Sequence, residues 1–370
     1  MNKILENSIP TSKFRFERTG HTVKNRSVLA AMTNKQSFKN GNISNTELKW
    51  LVRRAEGGFG IITTAAIHVS KSGQGWDGEI GLFSDNNING LKNLTSQIKN
   101  HDGLIFAQLF HGGLRSPQRL TGMKPLSSSI NKTDCSNDGY SFAASESDIK
   151  EIIQDFSQAS MRAVKSGFDG IEIHCAHGYL LSQFLGSNTN RRTDKWGGSL
   201  KARSRLIIEI IKAIKKVVPR VFIIGIRISP EIKEMGIDLM EMISFIKKIR
   251  KFKLDFIHIS CWDVYSTSNI YTDKDYTLTE WFTKSIKNLP PVISTGNIWS
   301  TNDAVNILKQ GASLFGVAKA AIPYPDLPEK MYDPNFDPYR GPFSYDDLRN
   351  KDLGDVFINY LKLWKDFIID

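Results

Sequence analysis

Eight short apolar runs, each separated from the next by a stretch with helical spacing, leave few architectures open to this chain. The runs are VLAAM (Val28–Met32), GIITTAA (Gly60–Ala66), LIFAQLF (Leu104–Phe110), IEIH after the turn Gly167–Gly170, FIIGIRIS (Phe222–Ser229), DFIHIS (Asp255–Ser260), PVIS (Pro291–Ser294) and SLFGVA (Ser313–Ala318). Helix signals fall between them. Ser44 with Glu47 reads as a capping box, Ser84 or Asp85 caps a helix running to Lys99, and a third helix starts near Ser147 without a box. Further helices are expected at Ser199–Val218, after Asp238, at Thr279–Asn288 and at Thr301–Gln310. Alternation of this kind predicts an α/β chain, a (β/α)8 TIM barrel over about 25–330 within one domain, 1–370. A doubly wound two-domain chain is the alternative, but no Pro/Ser-rich linker divides the sequence and no repeat appears. The interval from Leu114 to about Ser145 is too long for a plain connection and is expected to form part of a site or a lid. Residues 331–370 are expected to be a capping tail or an oligomer contact.

With 40% hydrophobic and 24% charged residues, the chain is neither disordered nor a membrane protein in composition. No apolar run approaches a bilayer span, and the first residues lack an apolar signal core, so a cytoplasmic location is expected. Cys135, Cys175 and Cys261 are widely spaced and form no C-x-x-C pair, which leaves isolated thiols. The net charge of +11 is spread over lysines on helix faces (Lys212, Lys215, Lys216; Lys247, Lys248, Lys251), so it favours anionic small ligands over nucleic acid.

In parallel barrels, chemistry gathers at the strands' carboxyl ends. Here those ends carry Thr33, Ala65, Gln108, His174 with His177 and Tyr179, Arg227, Gly296–Asn297 and Lys319. No pair of carboxylates stands there, which weighs against glycosidase chemistry. His174 and His177 have H-x-x-H spacing, but no Asp, Glu or Cys stands at ligand spacing nearby, which weighs against a metal. STGN (Ser294–Asn297) and GVAK (Gly316–Lys319) offer small residues, backbone N–H groups and one lysine where barrels often hold phosphate.

The stretch GFDGIEIHCAHGYLLSQFLGSNTNRRTDKWGGS, from Gly167, resembles the central signature of the old yellow enzymes, FMN-dependent NAD(P)H:ene oxidoreductases. KNRSVLAAMT, AQLFHGG, GIRISP and PYPDLPEK extend the resemblance, in order, from about Phe14 to Lys330. It implies that His174 and His177 hydrogen-bond the oxygen of an enone or a phenolic ligand, and that Tyr179 is the proton donor. It also implies that Gln108 and Arg227 bond the flavin's pyrimidine ring, with Arg227 placing positive charge near N1. Thr33 would contact flavin O4, Ala65 would leave room for the ring, and Ala31 and Met32 would line it. Gly296, Asn297, Ala318 and Lys319 would hold the phosphate. The implied reaction takes hydride from NADH or NADPH, through FMN, to a C=C bond conjugated to a carbonyl or nitro group. The partners are then a small enone or nitro compound and a nicotinamide nucleotide, with no metal, nucleic acid or membrane and with homo-oligomerisation open.

The sequence departs from the family pattern in three places. Ala318-Lys319 replaces Gly-Arg, which exchanges a bidentate fork for a point charge. Leu114 stands where the family's HxGR motif has arginine, with Arg115 one position later, and Lys201-Ala202 replaces Glu-Asn. Amine oxidation or dienoyl thioester reduction on the same barrel is an alternative, although the large relatives that do this carry an iron–sulfur cysteine cluster. A basic nucleic-acid-binding barrel is a third reading.

Overall fold

The computed structural model describes residues 9–369. Residues 1–8 and 370, which the sequence reading includes in the domain and in the search for a signal core, lie outside the described residues. Eight parallel strands close into a barrel in chain order: β1 Ser27–Leu29, β2 Ile61–His68, β3 Leu104–Phe110, β4 Gly170–Cys175, β5 Ile223–Ile228, β6 Phe256–Ser260, β7 Val292–Thr295 and β8 Leu314–Val317. β8 pairs with β1 through Phe315–Ser27, Gly316–Val28 and Val317–Leu29, so the sheet has no open edge. The connecting helices are α1 Asn45–Glu56, α2 Ile88–Lys99, α3 Glu146–Lys165, α4 Arg205–Val217, α5 Leu239–Ile249, α6 Leu278–Ser285 and α7 Thr301–Lys309. Outward strand residues such as Ile105, Ile171, Ile224 and Ile257 join Leu51, Phe156, Ile207 and Phe282 of the helices in one buried layer.

Helix starts follow local hydrogen bonding, and the first three differ from the sequence expectation; Ser84 caps a 3-10 turn, Asp85–Asn87, and α2 itself begins at Ile88. Ser44 caps α1 by accepting from Glu47 N–H (3.1 Å), but the reciprocal half of the box is missing. The Glu47 carboxylate instead receives Asn34 Nδ2 (2.8 Å) and the Ser37 hydroxyl, while Ser37 Oγ serves the Ser44 N–H. α3 is capped two residues before Ser147, by a full capping box in which Asp148 bonds Ser145 N–H (2.7 Å) and Ser145 Oγ accepts from Asp148 N–H. The box expected to be absent is therefore present, with Asp148 in the place usually taken by glutamate. The expected helix at Ser199–Val218 is broken at Ser204 into Leu200–Arg203 and α4.

The barrel interior is built in layers. The lower one is apolar: Phe16 and Val23, from an amino-terminal hairpin, close the bottom against Val28, Ile61, Phe106, Ile223, Phe256, Ile293 and Leu314. The Phe106 and Phe256 rings stack at 5.5 Å. Two residues further along their strands, the period-2 alternation turns Gln108, Glu172 and His258 into a polar layer. Another step brings Phe110, His174, Arg227 and Ser260 to the carboxyl-end face. Two glycines make room. A Cβ on Gly225 would lie 2.1 Å from the Phe256 ring, and one on Gly316 would lie 1.8 Å from Thr295 Oγ1.

The tail carries α8, Asp355–Leu361, whose Phe357 meets Trp50 of α1 edge to face at 5.6 Å. Arg54 of α1, fully buried, donates to Ala321 O, Ile322 O and Lys351 O, which ties the barrel to this tail.

Gly225→Ala is expected to cost about 1–3 kcal/mol by overpacking, measured by urea unfolding, and Phe256→Leu in the same chain should recover part of the loss. Wild-type stability in the single variant would contradict this interior packing.

Candidate active site

At the carboxyl-end face a cavity is lined by Ala31, Met32, Thr33, Ala66, Trp76, Gln108, His174, His177, Tyr179 and Arg227. β1, β2, β3, β4 and β5 and the loops that follow them deliver these side chains. His174 ends the inward row of β4, and the chain then turns through His177 (φ 60°) and Gly178 (φ 75°). A left-handed histidine is uncommon, and it is held by its N–H on Ser229 Oγ (3.1 Å) and its ring Nε2 at 2.7 Å from Ser260 Oγ. This turn swings the chain back so that Tyr179 caps a short helix, Leu180–Leu185, beside the two imidazoles. Ring centroids lie 5.0 Å apart for His174 and His177 and 5.2 Å apart for His174 and Tyr179. Phe110 meets the Tyr179 ring edge to face at 4.9 Å.

Below these residues runs a hydrogen-bonded network that crosses the barrel. Gln108 Nε2 donates to Glu172 Oε1 (2.6 Å), Glu172 Oε2 lies 2.6 Å from His258 Nδ1, and His258 Nε2 lies 2.6 Å from Thr295 Oγ1. Burial opposes ionisation of Glu172, but His258, Arg227 and Gln108 outweigh it and hold its pKa below the usual value. Burial and Arg227 lower His258 against the pull of Glu172, so its imidazole is neutral. A neutral ring beside a carboxylate must carry its proton on Nδ1, which leaves Nε2 to accept from the Thr295 hydroxyl. With its amide nitrogen committed to Glu172, Gln108 turns its carbonyl oxygen elsewhere, as an acceptor.

Arg227 is buried and meets no carboxylate within 4 Å among the described residues. Nη1 donates to Ala31 O (3.3 Å) and Nη2 to Ser260 Oγ (3.0 Å), but Nε is buried without a partner. His174 Nδ1 is likewise buried and unpartnered. Such orphaned groups are costly unless a ligand completes them. Both active-face histidines are neutral. Burial holds His174 well below the ordinary value, with His177 and Arg227 adding to it. His177 remains open to solvent at the cavity mouth; the protein packed around it, then Arg227, His258 and Arg115, depress its pKa. Burial raises the Tyr179 pKa, against the lowering effect of Arg115, so the phenol stays protonated.

The expected residues Ala31, Met32, Thr33, Gln108, His174, His177, Tyr179 and Arg227 all line this cavity. On β2 it is Ala66, not Ala65, that faces it, because the register with β3 shifts between Thr63 and Ala66. Gly296, Asn297, Ala318 and Lys319 lie outside this lining, at the ends of the paired strands β7 and β8. Asn297 is oriented from within the protein, donating to Asp263 Oδ2 (3.0 Å) and accepting from Trp299 Nε1 (3.0 Å). Lys319 opens a short turn, Lys319–Ala321, with Nζ 5.0 Å from the Phe367 ring centroid.

Sequence reasoning missed Trp76, Glu172, His258 and Ser260. Inward alternation in GIEIH and FIHIS would have found Glu172, His258 and Ser260. Trp76 sits in a loop without periodicity; the buried Glu79 carboxyl places it by accepting from Gly75 N–H (2.6 Å) and Trp76 N–H (3.3 Å).

The family model described as "NADH:flavin oxidoreductase / NADH oxidase family" matches residues 16–334. A Bacillus subtilis protein named "Probable NADH-dependent flavin oxidoreductase" is 32% identical over 321 residues, 85% of each chain. The NADPH dehydrogenase of Bacillus licheniformis is 31% identical over 331 residues, 88% of this chain and 95% of that protein. In fold, the chain is similar to the old yellow enzyme homologue from Zymomonas mobilis, with a TM-score of 0.79 and 24% identity over 92% of this chain and 96% of that one. With eight parallel strands presenting this cavity and a family match across most of its length, the chain belongs to the NADH:flavin oxidoreductase family of FMN-dependent, old yellow enzyme-like oxidoreductases.

Proposed function

We propose that this enzyme reduces a C=C bond conjugated to a carbonyl or nitro group, with His174 and His177 holding the activating oxygen and Tyr179 protonating the carbon beside it. The observation that carries this reading is the grouping of two neutral imidazoles and a protonated phenol, about 5 Å apart, on one wall of a cavity.

The residues present fit FMN: the orphaned Arg227 Nε, the free Gln108 carbonyl and the Thr33 hydroxyl together make a mixed donor and acceptor set. These three would hold the isoalloxazine, while the backbone of Gly296 and Asn297, with Ala318 and Lys319, would take the phosphate. When bound, FMN supplies the hydride that it has accepted from NADH or NADPH.

The protein's own share of the chemistry is electrostatic and acid catalysis. A neutral imidazole donates N–H to an oxygen that becomes enolate-like, a gain concentrated in the transition state. Tyr179 has a pKa raised further by burial, so it gives up its proton only to a strong carbon base. Arg227 puts a fixed positive charge beneath the site, partly balanced by Glu172 one layer down. Phe110 and Trp76, with ring centroids 5.3 Å apart, form an apolar wall around the reacting bond.

Tyr179→Phe should slow the acceptor half-reaction by about 10²–10⁴-fold while flavin reduction by NAD(P)H continues; equal loss in both stopped-flow half-reactions would remove Tyr179 from the acid role. Because both imidazoles have pKa values far below the ordinary one, the ring carbon signals of His174 and His177 should not move between about pH 6 and 8. An NMR titration showing either ring protonating in that range would contradict the neutral pair.

A further inference from the structure

We propose that Arg115 determines acceptor specificity, selecting compounds that carry a carboxylate on the conjugated bond in addition to the activating carbonyl. This rests on the ene-reductase reading above and narrows its substrate class.

Arg115 follows β3 in a tight turn, Gly113–Arg115, that is fixed from behind. The carbonyl of the buried Gln183 accepts from Leu114 N–H (3.1 Å), and a Cβ on Gly113 (φ 64°) would lie 2.4 Å from that same oxygen. From this base the guanidinium reaches over the two residues given the acceptor's oxygen and carbon. Its Cζ lies 4.5 Å from the Tyr179 ring centroid, and Nη1 donates to His177 O (2.7 Å). Nη2 and Nε make no hydrogen bond to the described protein, so one edge of the planar fork is open. That edge matches a carboxylate.

No charge nearby cancels the arginine. Asp77, on the Trp76 loop, is paired with Arg119 (3.3 Å). Burial pushes the Glu79 carboxyl well up, and Glu172 is spent on His258 and Gln108. Arg115 meets no carboxylate within 4 Å among the described residues. Its field reaches His174, His177 and Tyr179, each of whose pKa it lowers. An acceptor touching His177 and Tyr179 together therefore has its substituents within reach of an uncompensated cation.

For an acceptor such as (E)-4-oxopent-2-enoate, the ketone oxygen sits on the histidines and the carboxylate is carried by the β carbon. The π bond breaks as hydride, originating from NAD(P)H, forms the new C–H bond at the β carbon. The Tyr179 proton forms the second C–H bond at the α carbon, and solvent reprotonates the tyrosine; the product is 4-oxopentanoate.

The test uses the FMN-loaded enzyme and two acceptors of equal length, (E)-4-oxopent-2-enoate and the neutral (E)-pent-3-en-2-one. Arg115→Gln is expected to lower the ratio of their kcat/KM values by about 10–100-fold, whatever common loss follows from the missing bond to His177, and Arg115→Lys should retain part of that ratio. An unchanged ratio overturns the proposal, as does a variant whose main defect is slower flavin reduction by NADH or NADPH, which would make Arg115 a dinucleotide phosphate ligand. Binding is read separately by titrating 4-hydroxybenzoate and phenol through the long-wavelength flavin band. If wild type reduces neither acceptor, the ene-reductase reading fails, while a preference for 4-hydroxybenzoate lost in Arg115→Gln would still support carboxylate recognition and an unchanged preference would overturn it.

Discussion

A carboxylate held ionised inside the barrel governs how the site above it is arranged. Glu172 is buried, and a carboxylate in that position persists only when donors surround it. Gln108 and His258 are those donors, at 2.6 Å each, and Arg227 adds a favourable field without direct contact. Each answer to the Glu172 charge fixes something else. Gln108 shows its carbonyl to the cavity, His258 carries its proton on Nδ1, and Thr295 turns its hydroxyl to His258 Nε2. Thr295 then occupies the space where a side chain on Gly316 would sit. One ionised group thus sets two amide and hydroxyl orientations, one tautomer and one glycine.

Burial is the main reason the histidines above it are neutral, and the same charge balance adds to it. Arg227 is held one layer up with part of its field unanswered, and with Arg115 it depresses both His174 and His177 further. In the proposed role, a protonated pair would bind an oxyanion more tightly at rest and gain less as charge develops, so neutrality would favour the transition state. Ser260 couples the two tiers, accepting from Arg227 Nη2 while it lies 2.7 Å from His177 Nε2. It therefore links the position of the buried cation to that of the His177 ring.

The eight strands were legible because each is a short apolar run that ends in polar residues, and boundaries moved by a few residues at most, as at β1, which is Ser27–Leu29 where VLAAM was expected. The cavity wall was legible because strand ends converge in a barrel and because the signature around His174 is long. What escaped the sequence depends on register and on through-space partners. Ala66 displaced Ala65 by a local shift between strands that no composition signals. The box at Ser145 needed Asp148 to reach a backbone N–H, and the one at Ser44 failed because Asn34 and Ser37 captured Glu47. The side-chain partners that orient Asn297, Asp263 and Trp299, likewise depend on contacts between loops.

The loop after β3 shows how a one-residue displacement changes chemistry while leaving the fold alone. Where the family pattern puts arginine, Leu114 uses its backbone N–H to bind Gln183, and its carbonyl accepts from Thr133 Oγ1 (2.6 Å), which anchors the excursion through Cys135. Arg115, one position on, is thereby rotated out of the scaffold and over the Tyr179 ring. A residue at the family position and one at the next face different directions because successive residues of a tight turn diverge by roughly a third of a revolution. The loop's backbone contacts are spent on holding the turn, and the cation is left for a ligand.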